Sequence, residues 1–264
     1  MMKTISIILF LLLLISCKEE ITFADNIVLS FPKEDRLTIQ KFNEDANEAG
    51  TNLLYKGYDS GKIDIKYFKN IMSEPPPPPK FNENEKKLSE RINAFRDSLN
   101  HVKSTYFRNE EIEILYTKED LYDSLSNKNL SIIVKENDTI PLYKRDYATD
   151  QIKKHKAFPV YIKNISTKTL KIPIAASGVA LYISNDIQFQ FIRNSNYMIC
   201  GMGIDVNPYF ELKPNEILIY SFPYLEKGSK RKAKIVFFRA FSKEFEISID
   251  EKIIQNQRST QFFQ

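Results

Sequence analysis

Side chains that could carry out catalysis are few in this sequence, and they are not spaced for it. One of the two histidines, His155, lies among lysines in Lys153-Lys154-His155-Lys156, which favours a solvated neutral ring over a base or a metal ligand. The patterns His-Glu-x-x-His, Cys-x-x-Cys, Gly-x-Ser-x-Gly and Gly-x-x-x-x-Gly-Lys-Ser/Thr are absent. Ser229 to Lys232 match Ser-x-x-Lys formally, but that pair needs a buried lysine and this one is expected in a cationic turn. We therefore expect no catalytic residue and no bound metal or cofactor.

A weak pattern of oxygen ligands occurs at Asn43, Asp45 and Asn47, the first, third and fifth positions of a calcium loop. Glu48 replaces the glycine that the turn needs, and Leu54 stands where a bidentate glutamate should bind. These departures exclude an EF-hand and leave a weaker oxygen-ligand site as an alternative.

Two groups of side chains are candidates for ligand binding. The basic group, expected in one hairpin turn, is Lys227, Lys230, Arg231, Lys232 and Lys234. It could contact lipopolysaccharide phosphates or acidic glycans, and the alternative is that the lysines protect an exposed sheet edge. The aromatic group, near the same loops, is Tyr197, Tyr209, Tyr220 and Tyr224. Tyrosines stack on sugars, but a chain without tryptophan favours ordinary core and interface use. The residues predicted as possible ligand contacts are Tyr197, Tyr209, Tyr224, Lys230, Arg231 and Lys232.

The first twenty residues have the organisation of a secretory signal. Lys3 gives a short positive region, and Ile5 to Ile15 form an apolar stretch of eleven residues interrupted by Ser6. This stretch is too short to span the hydrocarbon core of a bilayer, which takes about 20 residues. Cys17 follows directly, and the other cysteine is Cys200, which we expect to be a small buried hydrophobe.

The tetrapeptide Leu14-Ile15-Ser16-Cys17 resembles the lipobox of bacterial lipoproteins. This resemblance implies that residues 1–16 are a signal peptide that is removed and that Cys17 carries palmitate and other acyl chains into the membrane. With Cys17 acylated, the chain cannot form an internal disulfide. Lys18-Glu19-Glu20 resembles the surface-export signal of outer-membrane lipoproteins of the Bacteroidota. The alternative is that these three residues are a solvated tether and that the protein lies at the periplasmic face of the membrane.

Composition narrows the possible partners. Removal of residues 1–16 leaves 248 residues and a net charge of +3, because Lys3 is the one charged residue lost. A near-neutral chain without a concentrated basic face does not predict nucleic-acid binding. Its length is sufficient to bury a substantial core without disulfides.

The chain is expected to contain several segments between the signal and the main domain. Residues 17–25 form a lipidated tether, and residues 26–74 form a small N-terminal β segment with a hairpin turning at Asp59-Ser60-Gly61. Five prolines in residues 75–80 predict an extended spacer, with docking to an aromatic groove as the alternative. Within residues 81–109, spacings of four, three and four from Leu88 to Leu99 predict an amphipathic helix over 84–100, which His101 follows.

Residues 110–252 read as a succession of short strands separated by turns, and residues 253–264 as a polar tail. Seven to nine strands with alternating apolar residues predict an antiparallel β-sandwich. The segments "FPVYIKNISTKTLKIPI" and "ELKPNEILIYSF" resemble immunoglobulin-like modules of extracytoplasmic bacterial proteins. The fold class is therefore mainly β: an immunoglobulin-like sandwich with one amphipathic helix.

With the lipobox, the chain is similar to surface lipoproteins of the Bacteroidota, a resemblance that implies a location and no activity. The expected function is that of a lipid-anchored outer-membrane protein, exposed outward, that binds a surface protein or glycan or assembles with one. Two alternatives stay open. One is a glycan-processing enzyme, or an accessory subunit of one, that uses carboxylates; the other is a β-sandwich resembling protease inhibitors.

Overall fold

The structure is a computed structural model that describes residues 21–33, 36–40, 48–49, 53–71, 85–121, 124–146, 152–174, 179–185, 187–192, 207–225 and 227–255. Several predictions lie outside these residues. They are the acylated Cys17, the export signal Lys18-Glu19-Glu20, the oxygen ligands Asn43 to Asn47, the proline run, Tyr197 and Cys200.

The described elements are strands with two helices. The strands are β1 (Val28–Ser30), β2 (Glu48–Ala49), β3 (Leu53–Gly57), β4 (Lys62–Asp64), β5 (Leu115–Thr117), β6 (Leu130–Val134), β7 (Ile140–Asp146), β8 (Ile152–Asn164), β9 (Leu170–Pro173), β10 (Ala180–Ser184), β11 (Phe189–Ile192), β12 (Asn207–Leu212), β13 (Ile217–Pro223), β14 (Ser229–Phe237), β15 (Ala240–Phe241) and β16 (Phe245–Ile249). The helices are α1 (Glu85–Tyr106) and α2 (Glu251–Gln255).

The central sheet has the order β2-β7-β8-β13-β3, and β6 also pairs with β8. Its strand β13 is buried on both faces. Leu218, Tyr220 and Phe222 point into one hydrophobic core, and Ile217 and Ile219 point into a second core on the opposite side. Such an unbroken apolar run is what a strand covered on both faces requires.

Proline in the middle of β8 is accommodated by a break in the neighbouring ladder. β6 and β7 lie end to end along the same edge of β8, separated by the turn over residues 135–139. The Lys135 N–H donates to the carbonyl oxygen of Pro159 at 3.2 Å. The missing N–H of Pro159 therefore faces the turn, where no ladder hydrogen bond is lost.

A second sheet packs on the central sheet and completes the sandwich. Its order is β11-β10-β14-β15, with β16 also pairing with β14. Ile183, Ile235 and Ile247 from this sheet share a core with Val160 and Leu218 of the central sheet. The predicted mainly-β antiparallel sandwich is confirmed.

A third, smaller sheet and the second helix extend the same core. The sheet has the order β5-β12-β9 and contributes Phe210, Leu212 and Ile172. Ile253 of α2 is also buried in this core, although it is the first residue of the predicted polar tail.

The predicted hairpin at Asp59-Ser60-Gly61 is wrong. β3 pairs antiparallel with β13, whereas β4 pairs in parallel with β1. Gly61, at φ +75°, turns the chain from the central sheet into an N-terminal layer. β3 pairs with the edge of β13, so the N-terminal segment packs on the larger domain.

The N-terminal layer covers the far face of the central sheet and forms the second core. Ile63, Ile65 and Tyr67 are all buried there, in agreement with their alternation in the sequence. Helix α1 closes this core with Val102 and Tyr106, near its C-terminal end. The domain is therefore three-layered, with the central sheet between the second sheet and the N-terminal layer.

Helix α1 ends six residues later than predicted, at Tyr106, so His101 lies within the helix rather than after it. The additional residues are held because Val102 and Tyr106 pack against the second core, a contact that periodicity alone does not show. No helix in the described part of the chain combines the length and the apolar content that crossing a bilayer requires.

Candidate binding surface

Four of the five residues of the predicted basic cluster lie in a strand and not in a hairpin turn, whereas Lys227 lies in the connection before that strand. Lys230, Arg231 and Lys232 belong to β14, which pairs with β10 on one side and with β15 and β16 on the other. The prediction of a turn is wrong because β16 extends the pairing to Ser229. Among the described strands, β10 pairs with Ala233 to Val236 and not with Lys230 or Lys232, so protection of a sheet edge stays an alternative for these two lysines.

Side chains of β14 point alternately to the two faces of the sheet, so Arg231 and the lysines on either side of it lie on opposite faces. Arg231 lies on the same side as the buried Ala233, and its Nη2 is 3.0 Å from Oε2 of Glu251. Its Nη1 is 3.5 Å from the carbonyl oxygen of Ser184. Arg231 therefore joins β14 to α2 and β10 and is engaged within the protein.

The outward lysines of β14 form a ladder of ion pairs with the acidic side chains beside β16. Nζ to Oε distances are 3.3 Å for Lys230–Glu246, 3.4 Å for Lys232–Glu244 and 3.3 Å for Lys234–Glu244. The hydrogen bond from Lys234, with help from Lys232, lowers the pKa of Glu244. Three cations against two anions leave little net charge, so the geometry does not favour a site for lipopolysaccharide phosphates.

Aromatic rings surround this ladder on the same outer face. The Nζ of Lys234 lies 4.2 Å from the ring centroid of Phe189 and 5.8 Å from that of Phe241. Tyr182 of β10 is the strand partner of Lys234 in β14. Its ring centroid is 5.4 Å from that of Phe191. Phe241 is 52% exposed. Cation–π contacts of this kind fix the ammonium group and leave ring surface for a ligand.

We name this surface the aromatic–lysine face. It consists of Tyr182, Phe189, Phe191, Lys230, Lys232, Lys234, Phe241, Glu244 and Glu246. The opposite side of the sheet is core, so these side chains point outward.

The predicted tyrosines lie elsewhere. Tyr209 is in β12 of the third sheet, with Nζ of Lys171 at 5.5 Å from its ring centroid. The hydroxyl of Tyr224 donates to the carbonyl oxygen of Glu136 at 2.7 Å and holds the turn between β6 and β7. Tyr220 is a core residue. Of the predicted ligand contacts that the structure describes, Lys230 and Lys232 belong to the aromatic–lysine face.

Sequence reasoning missed the aromatic members of this face. The alternation of Phe189 and Phe191 with Gln188 and Gln190 is evident in the sequence, but a period of two does not say which set is buried. The register answers this, because Phe191 pairs with Tyr182 on the outer side while Ile192 pairs with the buried Leu181.

The expectation of a solvated His155 is also wrong. His155 is 4% exposed, because β8 begins at Ile152 and places it between Leu142 of β7 and Thr38. Its Nδ1 is 3.1 Å from Oγ1 of Thr38. Within the described ranges, no group of three or more His, Cys, Asp and Glu side chains is placed to hold a metal ion.

Comparison of the chain with protein-family models, with curated proteins and with solved structures finds no match.

Proposed function

We propose that the chain is a lipid-anchored lipoprotein of the outer membrane, facing outward, that acts as a non-enzymatic binding or assembly module through the aromatic–lysine face. The anchor and the outward orientation are supported by the sequence from Leu14 to Glu20. The ligand is a surface protein or a glycan that presents apolar or ring surface to the face.

One observation carries the proposed binding role: the exposed ring of Phe241 is grouped with the half-buried rings of Phe189 and Tyr182 on the outer face of the second sheet. Phe241, Phe189 and Lys234 lie together there with ring surface accessible. Grouped exposed apolar side chains with a polar rim are typical of interaction sites, whereas single ones are ordinary. Aromatic residues are also enriched in the centres of protein interfaces.

Two carboxyl groups, those of Asp25 and Glu244, do not suit the acid of a glycan hydrolase. A glycan hydrolase needs a general acid whose pKa is raised. The pKa values of Asp25 and Glu244 are lowered, in each case first by a hydrogen bond from a lysine. Neither has the pKa expected of a general acid at neutral pH.

The location is tested by palmitate labelling and protease shaving of intact cells. The comparison includes wild type, Cys17→Ala and a variant in which Lys18, Glu19 and Glu20 are alanine. We expect the wild type to be labelled and shaved, and the triple-alanine variant to be labelled but protected. A labelled but protected wild type would place the protein at the periplasmic face, and an unlabelled one would refute the anchor.

The binding surface is tested by photo-crosslinking in the same cells. A photoreactive phenylalanine replaces Phe241 in one strain and Tyr116 in another. Tyr116 is a matched control because it is an aromatic residue 65% exposed on β5 of the third sheet. We expect a discrete adduct from position 241 that a Lys234→Ala, Phe189→Ser background abolishes. Adducts of equal yield from position 116, or none from 241, would refute the assignment of this face.

A further inference from the structure

The chain is attached to the folded domain immediately after the predicted acylation site. Thr22 donates hydrogen bonds through its backbone N–H and its hydroxyl to Oδ2 of Asp25, and Asp25 also pairs with Lys135 of the central sheet's turn. Ala24 is 3% exposed in the second core. The free tether is therefore shorter than residues 17–25, because the chain is already packed from Thr22 onward.

The length of this tether limits the distance between the domain and the bilayer. Five peptide units separate Cys17 from Thr22, and each spans at most about 3.6 Å, so the two Cα atoms are at most about 18 Å apart. The headgroup layer takes up roughly 5–8 Å of that distance. An acylated Cys17 therefore holds the N-terminal layer next to the headgroups.

Three exposed apolar side chains lie at this end of the domain. Ile21 is 84% exposed, Val28 63% and Tyr58 55%. We name them the N-terminal patch.

Hydrogen bonds and side-chain contacts link the segments that carry the patch residues. The Val28 N–H donates to the carbonyl oxygen of Gly61 at 2.6 Å, three residues after Tyr58. The Nζ of Lys163 lies 3.4 Å from Oδ2 of Asp59 and 5.4 Å from the ring centroid of Phe23. Lys163 thus links the turn after Tyr58 to the chain after Ile21.

We propose that the N-terminal patch rests on the lipid surface in the acylated protein. This inference depends on the lipid anchor of the proposed function. Tyrosine at the headgroup level and aliphatic side chains at the acyl boundary are the groups that a bilayer interface accommodates. Lys62, exposed and opposite Val28 in the β1–β4 pair, adds attraction to anionic headgroups.

The layered fold then directs the aromatic–lysine face away from the membrane. The N-terminal layer and the second sheet cover opposite faces of the central sheet. Packed sheets are about 10 Å apart, so the outer face of the second sheet lies roughly 20 Å from the N-terminal layer. A ligand of the aromatic–lysine face would be met on the side opposite the bilayer.

The test uses the full acylated protein in vesicles of phosphatidylethanolamine and phosphatidylglycerol that contain spin-labelled quencher lipids. Single cysteines are introduced by Tyr58→Cys, Val28→Cys or, as the control, Phe241→Cys, all with Cys200→Ala, and carry the same environment-sensitive fluorophore. We expect fluorescence at positions 58 and 28 to fall by about twofold or more on addition of quencher lipid. Fluorescence at position 241 should be unchanged.

Palmitate labelling of the same samples separates this inference from the proposed anchor. Acylated protein with no quenching at 58 and 28, or with more quenching at 241, would overturn the membrane contact and leave the anchor intact. Protein that takes no palmitate would refute the anchor, and the contact with it. Circular dichroism of each variant confirms that the probe reports on a folded domain. Quenching is expected at both position 58 and position 28, so a loss of folding in one variant leaves the other as a test.

Discussion

Replacement of Asn164 by alanine should destabilise the domain strongly, because the buried Asn164 side chain makes four hydrogen bonds that join three segments of the chain. Asn164 is the last residue of β8 and is 0% exposed. Its Nδ2 donates to the carbonyl oxygens of Lys168 at 2.8 Å and Leu212 at 2.9 Å. Its Oδ1 accepts from the backbone N–H of Ser166 at 2.9 Å and from the Ser166 hydroxyl at 2.8 Å.

The magnitude follows from these four hydrogen bonds. Each contributes about 1 kcal/mol net to stability, so we expect the free energy of unfolding to fall by about 4 kcal/mol. The buried carbonyl of Leu212 would lose a donor that water cannot easily replace, because the hydrogen bond is buried.

The assay is urea unfolding of the unacylated chain from Lys18 onward, followed by circular dichroism, since the chain has no tryptophan. Asn127→Ala is the matched control. The Asn127 side chain is exposed and makes two hydrogen bonds with the backbone of Phe241, at 2.7 and 3.0 Å. Water can replace both, so its loss should be about 1 kcal/mol or less.

Asn164→Asp separates hydrogen bonding from side-chain volume. Aspartate has nearly the same shape but sets a carboxylate oxygen against the carbonyl oxygens of Lys168 and Leu212. We expect a loss at neutral pH at least as large as that of the alanine variant, relieved as the carboxyl group is protonated at lower pH. Equal losses for the alanine variants at 164 and 127 would refute the reasoning.

Three further outcomes follow from the structure. Arg108 donates to the carbonyl oxygens of Leu54, Lys66 and Asp64 while its guanidinium lies near two aromatic rings, so Arg108→Lys should cost about 2 kcal/mol in urea unfolding. Arg96→Lys, on the exposed side of α1, should change nothing, and similar losses for both would contradict this role. Burial raises the pKa of Tyr220 above its ordinary 10.0. The unfolded state loses this proton above pH 10 while the folded state keeps it, so the free energy of unfolding falls above pH 10 by up to about 1.4 kcal/mol per pH unit. In Tyr220→Phe, the free energy of unfolding should fall less steeply with pH in this range. The hydrogen bond from Lys135 lowers the pKa of Asp25 to about 2 from 3.8, so its stabilising effect is present above about pH 3.8 and is lost as the pH falls toward 2. In Lys135→Ala, NMR titration should find the Asp25 pKa raised but still below 3.8, because Thr22 continues to donate two hydrogen bonds to this carboxylate, and an unchanged value would show that the ion pair is not the main cause.

The strands were largely predictable because their signals are local. Alternation in "IQFQFIR" and "FEISI" and the apolar run "EILIYSF" coincide with β11, β16 and β13. A strand's period of two and its flanking turn residues depend on neighbours along the chain, so they are readable without knowing its partners. The start of α1 was predictable for the same reason, whereas its end depends on a tertiary contact.

The binding surface was predictable in part. The lysines of β14 were identified from the sequence, but their partners Glu244 and Glu246 and the rings of Phe189 and Phe241 were not. These groups come together through pairing of β10, β14 and β16, which are separated in the chain. That pairing places acidic side chains against the lysines and so neutralises most of their charge. This is why the geometry favours an aromatic surface over a phosphate-binding one.

The sequence alone determined the strand-rich composition of the domain and the case for an anchor at Cys17, since both rest on short contiguous patterns. Tertiary structure alone decided that β3 joins β13, that His155 is buried and that Phe189 faces outward. Each of these depends on which strand edge is open and which face another layer covers. Burial and pairing between distant segments lower the free energy only once those segments meet, so no local pattern specifies them.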